Sequence, residues 1–397
     1  MTTLLKPINR IRDFRHDARK RELFFLIVYL LWFTLDYIYS LELSEYEIGR
    51  NTCYLYLQRP IKYLMIFLCA FFLQFKDGKS ICESAICIVI LVFSFLMARK
   101  SSFYDIFYSF LIVCAAREIN TKRIVRITGL FLLGYLLLTF AACRLGYLKN
   151  VVFERAGNIR NGFGFQYPTH LSARILLLFL CLSYAVKKKN QWIVYPCGFL
   201  MAFFIWKYQN TRVSSLCILL MMVFLLFSCV FEKLDRKTQK ILLYLLVFGA
   251  LAANLFMVFS TIYYSGEGFL FRVNSLISDR LKFGNLAYRE NGLSLWGRQL
   301  FLTMSERKTV GLDGKIDIDC AYVHILLRGG IIVYTLFSAT YIYGMIKHAR
   351  NDHYLEVCIL FVLACLGAIE LDLYIASINL FLLLLTNTET KNAECSA

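Results

Sequence analysis

An all-α, polytopic membrane fold is what this chain predicts, and three observations predict it. Hydrophobic residues make up 59% of its 397, well above the 45–50% or so usual for soluble domains. They gather into separate runs that approach the roughly 20 residues needed to cross a bilayer. The links between runs are short and polar, and over such runs only helices satisfy their backbone polar groups in lipid. Counting the runs gives about twelve transmembrane helices in a single domain, 1–397. Two sizeable extracytoplasmic loops are expected, at about 146–168 and 264–318, the larger just before helix 10.

The first expected span, 23–41, follows a basic tail of Lys6, Arg10, Arg12, Arg15, Arg19, Lys20 and Arg21. Such a cluster is drawn to anionic lipid by about 1 kcal/mol per charge, so it sets topology and makes membrane lipid a partner. The net charge of +17 does not point to nucleic acid, because most of it lies in links on alternate sides, as the positive-inside bias requires. The span contains Asp36 and lacks a small-residue cleavage site, so it is expected to be retained rather than removed as a signal.

An acidic outer link with Glu42, Glu45 and Glu47 leads to span 2 at 62–75, then Lys76 and Lys79 inside. Span 3 at 81–98 goes out to Arg99 and Lys100, against the charge bias, and span 4 at 103–116 returns with Asp105 in it. Span 5 at 124–145 opens the first large loop and span 6 at 169–186 closes it, ending at Lys187, Lys188 and Lys189. Spans 7 to 9 lie at 192–206, 213–231 and 241–263. The long loop follows; Leu293, Leu295, Trp296, Leu300 and Phe301 make it too apolar for a linker, and a folded lid is expected. Span 10 at 322–345 and spans 11 and 12 at 355–368 and 373–385 leave both termini cytoplasmic, with Glu370 and Asp372 at the last outer turn.

Of the 14 cysteines most sit inside spans, where a thiol behaves as a small hydrophobe. No close Cys/His set has zinc-ligand spacing, so neither metal nor cofactor is expected. Only Cys53 and Cys320 fall in outer segments, and the sequence leaves their pairing open.

The outer segments share one chemical feature, arginine close to a membrane face: Arg160 in the first loop, Arg212 at the mouth of span 8, Arg280 and Arg298 in the long loop. A lone arginine there is a solvated or snorkelling side chain. Together, guanidinium groups that stay charged and donate in a fixed fork suit a lipid-linked pyrophosphate. Gly162 and Gly164 allow tight backbone approach, and Pro168 stiffens entry into span 6. Span 10 opens with Asp319, Tyr322 and His324. On a helix Asp319 and Tyr322 share a face while His324 does not, so Asp319 and His324 are no obvious dyad. Asp319 is either a helix cap or a functional acid. His324 and His170 are either packed or functional.

The order Gly162-Phe163-Gly164 with Pro168, then Asn210-Thr211-Arg212-x-Ser214, then Arg280 with Gly292-Leu293-Ser294-Leu295-Trp296-Gly297, then Asp319-x-x-Tyr322 with Leu326-Leu327-Arg328-x-Gly330, resembles the Wzy-type polysaccharide polymerases of the O-antigen polymerase and ligase superfamily. The resemblance covers about 155–335. The chain departs from the family at Phe165-Gln166-Tyr167 and at Cys320-Ala321, where the family often has His-Pro-Asn and Asn-Ser.

What the resemblance implies is a metal-independent glycosyltransferase in the bacterial cytoplasmic membrane, multi-pass with both termini inside. It would polymerise undecaprenyl-pyrophosphate-linked oligosaccharide repeat units on the outer face, for capsule, exopolysaccharide or O-antigen. Carried over by motif, Arg160, Arg212 and Arg280 would bind pyrophosphate and glycan, and Arg298 and His170 are further binding candidates from their place in the outer segments. Asp319, Tyr322 and His324 would act at the acceptor, Asp319 as base. A chain-length regulator and a flippase are the protein partners it implies, and nucleic acid is not one. The alternatives are an O-antigen-ligase-like glycan transferase, and a membrane transporter or flippase. The four prolines, none at the centre of a span, and the lack of visible repeat halves do not favour a transporter.

Overall fold

A computed structural model describes residues 18–42, 60, 63–64, 78–117, 119–155, 157–300 and 318–386. Most of the expected span 62–75 lies outside them. So do Lys6, Arg10, Arg12, Arg15, Glu45, Glu47, Cys53, Phe301 and Arg307.

Among the described residues, seven helices are long and apolar enough to cross a membrane: Arg19–Tyr39, Ser84–Ser101, Thr121–Arg144, Pro168–Ala185, Arg212–Phe231, Arg236–Ile262 and Ala321–Arg350. Two shorter apolar helices are Tyr104–Ala115 and Tyr354–Gly367. In chain order the helices are α1 (Ala18–Tyr39), α2 (Gly78–Ser101), α3 (Tyr104–Ala115), α4 (Thr121–Arg144), α5 (Pro168–Ala185), α6 (Val194–Phe204), α7 (Arg212–Phe231), α8 (Arg236–Ile262), α9 (Gly268–Leu276), α10 (Arg280–Asn291), α11 (Ala321–Arg350) and α12 (Tyr354–Gly367). Their outward faces suit lipid. On α4 alone Leu130, Phe131, Leu133, Leu137 and Leu138 are exposed, an apolar stripe that water would penalise. The chain is a helical, polytopic membrane protein.

By contacts the chain divides into two compact units: Met1–Cys87, Leu111–Met222 and Thr386–Ala397 form one, Ile88–Phe110 and Val223–Leu385 the other.

In the first unit α1 carries aromatic residues at every fourth position, which places them on one face. Phe25, Tyr29, Phe33 and Tyr37 form consecutive ring contacts along it. Tyr135 of α4 packs on Phe33 and Tyr37. The Tyr37 hydroxyl and Thr139 Oγ1, 2.9 Å apart, tie the same helices by a hydrogen bond. Asp36 of this face pairs with Arg174 of α5 at 3.2 Å, and the Arg174 guanidinium lies 5.4 Å from the Phe33 ring centroid and 5.7 Å from that of Tyr37. Arg174 is only 2% exposed, so the carboxylate and the two rings replace the water its charge has lost.

The loop between α4 and α5 is not wholly irregular. Val152–Arg155 (β1) and Asn158–Asn161 (β2) form an antiparallel ribbon with Phe153 opposite Arg160. This is a departure from purely helical expectation, and the turn at Gly157 uses a positive φ of 74° that glycine adopts without steric cost.

In the second unit the Asp235 carboxylate caps α8 by accepting from the Thr238 amide at 3.0 Å. Asn254 of α8 donates to Ser338 Oγ at 2.9 Å and accepts from the Tyr334 hydroxyl at 2.7 Å, joining α8 to α11. The expected helical span at 373–385 takes another form: two 3-10 turns, Leu371–Leu373 and Leu380–Leu385, with Leu380 to Leu385 buried. Ser377 and Asn379 are buried in the middle of this run. Asn379 Nδ2 donates to Leu373 O at 2.7 Å, a local bond of the kind that competes with a regular helix.

Candidate functional site

The first unit holds a polar basin of about 450 Å³ lined by Asn158, Ile159, Phe203, Trp206, Lys207, Asn210 and Arg212. Its floor is built where α6 ends. Ile205–Gln209 forms a π-helical turn and Asn210 follows with φ 48°, a left-handed conformation in which asparagine is enriched. The turn leaves carbonyls without intrahelical donors, and the ribbon supplies them. Arg160 Nε donates to Gln209 O at 2.8 Å, and Asn161 Nδ2 lies 3.5 Å from Tyr208 O. Arg160 is therefore committed in part to fastening β2 to the π turn.

Arg212 lines the same basin, is exposed, and makes no hydrogen bond or ion pair with the described residues. Lys207 holds its ammonium 5.5 Å from the Tyr208 ring centroid and 5.7 Å from that of Phe203. Gln209 and Thr211 flank Asn210. Both side-chain atoms of buried Gln209, and Thr211 Oγ1, meet no partner among the described residues. Two cations and two amides line the basin, a donor set whose chemistry suits an anion.

The glycines of the first loop are required where they stand. A Cβ on Gly162 would lie 2.5 Å from Phe165 O, and Gly164, at φ 92°, accepts from the Glu42 amide at 2.8 Å. His170, in the first turn of α5, meets Tyr167 edge-on, and its buried Nδ1 has no partner among the described residues.

In the second unit Arg280 opens α10 after two left-handed residues, Ser278 and Asp279. Buried Asn274 ties this turn: its Nδ2 donates to Asp279 Oδ1 at 2.7 Å and to the Tyr264 hydroxyl at 3.1 Å, and its Oδ1 accepts from the Lys282 amide at 3.0 Å. Asn285 Nδ2 then caps the end of α8, donating to Thr261 O at 2.8 Å and Ile262 O at 3.1 Å. Gly284 allows the close approach. A Cβ there would be 2.7 Å from the Thr261 methyl and 3.3 Å from Val323. α10 is thereby seated against both the end of α8 and the start of α11.

That seating brings Arg280 to Asp319. Arg280 Nη2 lies 3.4 Å from Asp319 Oδ2 and 3.0 Å from Glu370 Oε1, while its Nη1 is buried with no acceptor among the described residues. Asp319 is not the cap of α11, since Cys320 occupies that position.

The remaining candidates are engaged in packing. Arg298 donates to Asn291 O and, at 3.2 Å, to Leu293 O, clasping the chain that leaves α10. Tyr322 is buried and donates to Ala364 O of α12 at 2.8 Å. His324 Nδ1 stands 2.8 Å from the Tyr374 hydroxyl and its ring meets Phe103 edge-on.

Sequence reasoning missed Arg174 as the partner of Asp36 and gave Glu370 no role beyond an outer turn. An acid inside an apolar span is itself the signal that a basic partner exists, which for Asp36 was available. Nothing local marks Glu370.

Compared with known proteins, the chain matches no family model, no curated protein and no solved structure.

Proposed function

We propose that this protein is a membrane glycosyltransferase that joins oligosaccharide repeat units carried on a polyprenyl pyrophosphate, polymerising them at the membrane face that bears the polar basin. The single observation that carries the reading is that basin: Lys207 and Arg212 with Asn158 and Asn210, in a volume of about 450 Å³, at the mouth of an apolar helix of spanning length. A diphosphate bound there would be a leaving group whose developing charge cationic donors stabilise.

The chemistry needs a base as well. The acceptor hydroxyl would attack the anomeric carbon, the carbon–oxygen bond to pyrophosphate would break with its electron pair on the pyrophosphate, and the hydroxyl proton would pass to a carboxylate. Asp319, held by Arg280 at 3.4 Å yet 44% exposed, is the acid suited to receive it. Arg280 is compensated by two carboxylates, so it carries no spare charge for an anion.

The test uses Arg212→Ala and Asp319→Asn in cells that make the surface polymer. Both variants should remain in the membrane while single repeat units accumulate on the outer leaflet and long chains disappear. Normal chain lengths from both variants would remove the proposal. Repeat units trapped on the inner leaflet would indicate a transporter instead.

A further inference from the structure

Glu370 lies in the short link between α12 and the 3-10 turn Leu371–Leu373, and nothing in the proposed reaction uses it. Its backbone is fixed: the Glu370 amide donates to Leu366 O at 2.8 Å. Leu373 just beyond it sits against Gly367, where an added Cβ would come within 2.5 Å of the leucine side chain. The carboxylate is therefore delivered from a rigid turn, and it takes the shorter of the two contacts to Arg280, 3.0 Å against 3.4 Å for Asp319.

Burial separates the two acids. Glu370 is 20% exposed and Asp319 44%, around a guanidinium that is 10% exposed. A buried guanidinium requires a counter-charge, and the less exposed acid is the better placed to supply it continuously. Asp319 then shares a nitrogen that Glu370 already neutralises.

We infer that Glu370 is a positioning residue for the transfer step: it anchors Arg280, which in turn holds Asp319 where it can take the acceptor proton. The inference rests on the reaction proposed above. Glu370 touches no reacting atom; it acts through Arg280.

The experiment takes the full-length protein in lipid nanodiscs, with Glu370→Gln, Glu370→Asp and Asp319→Asn beside wild type. With lipid-pyrophosphate-linked repeat units as substrate, Glu370→Gln should lower kcat by about tenfold or more, the scale on which misplacing a reacting group acts. KM should stay near wild type, the melting temperature should fall because Arg280 loses its main counter-charge, and Glu370→Asp should recover part of both the rate and the stability. Phenylglyoxal modification of Arg280, followed by mass spectrometry, needs no turnover. It should rise several-fold in Glu370→Gln and much less in Asp319→Asn. An unchanged kcat, or unchanged modification of Arg280, in Glu370→Gln would overturn the inference. A wild-type protein that forms no polymer would instead overturn the transfer function, while the modification rates still decide whether Glu370 anchors Arg280.

Discussion

Gly297 and Gly330 meet backbone to backbone: a Cβ built on Gly330 would stand 2.3 Å from the Gly297 amide nitrogen, and one on Gly297 2.6 Å from Arg328 O. Both residues have positive φ, 71° and 86°. The amides of Ile331 and Arg298 donate across this crossing, to Ser294 O at 2.9 Å and Arg328 O at 3.1 Å. Gly297→Ala and Gly330→Ala should each lower the melting temperature. The left-handed backbone alone costs about 1–2 kcal/mol, with the clash added to it. Gly134 in mid-α4, where a Cβ would meet nothing within 4 Å, is the control; alanine there should stabilise by about 0.5–1 kcal/mol. Three indistinguishable melting curves would mean the backbones do not cross this closely.

Asn274→Ala should loosen the turn that presents Arg280. Three side-chain hydrogen bonds go at once, at about 1 kcal/mol each. Trypsin cleavage beside Arg280 and Lys282 should accelerate more than cleavage elsewhere. A proteolysis pattern like that of wild type would show that the turn holds without the asparagine.

Breaking the Asp36–Arg174 pair on one side leaves a charge without its counter-ion. Asp36→Ala should cost about 3–5 kcal/mol of stability. Asp36→Ala combined with Arg174→Met should recover much of that loss, because no unpaired charge remains. If the double variant is no more stable than the single, the pair is not the source of the cost.

Arg160 and Arg212 should separate when replaced. Arg160→Ala removes the bond to Gln209 O, so it should reduce thermal stability along with any binding. Arg212→Ala removes a solvent-exposed group that pairs with none of the described residues, so stability should stay within about 0.5 kcal/mol of wild type. Binding of inorganic pyrophosphate, measured by calorimetry on solubilised protein, should weaken on Arg212→Ala. Equal affinity in wild type and Arg212→Ala would take the anion away from the basin.

The long apolar helices were legible in the sequence because spanning length and hydropathy are properties of a contiguous run. α1, α4, α5, α7, α8 and α11 fall where the runs lie. Gly162 and Gly164 of the first loop were legible for a related reason: a residue without a Cβ marks a place where something comes close. Partnerships over long separations were not legible. Arg280 and Glu370 are 90 residues apart, and Arg174 and Asp36 are 138 apart; no periodicity couples them. The run at 373–385 misled because its apolar count ignores Ser377 and Asn379, whose burial and local bonding set the backbone. Arg298 and Tyr322 show the remaining difficulty. Residue type names the chemistry a side chain can do, while the carbonyls it meets decide whether it is already occupied.

The π turn at Ile325–Gly329 inside α11 amounts to one surplus residue threaded into a helix. Deleting one residue there would let the coil close to ordinary geometry with little rotation of what lies upstream, because the wide turn takes up the extra residue locally. Inserting one into the regular turn Ala321–His324 would instead rotate the upstream chain by about 100° and shift it by about 1.5 Å, turning Asp319 away from Arg280 while every side chain of the cluster remained in the sequence. The spacing between the acid and the crossing glycines is thus a mechanical setting, one that could be lost without a single functional residue being changed.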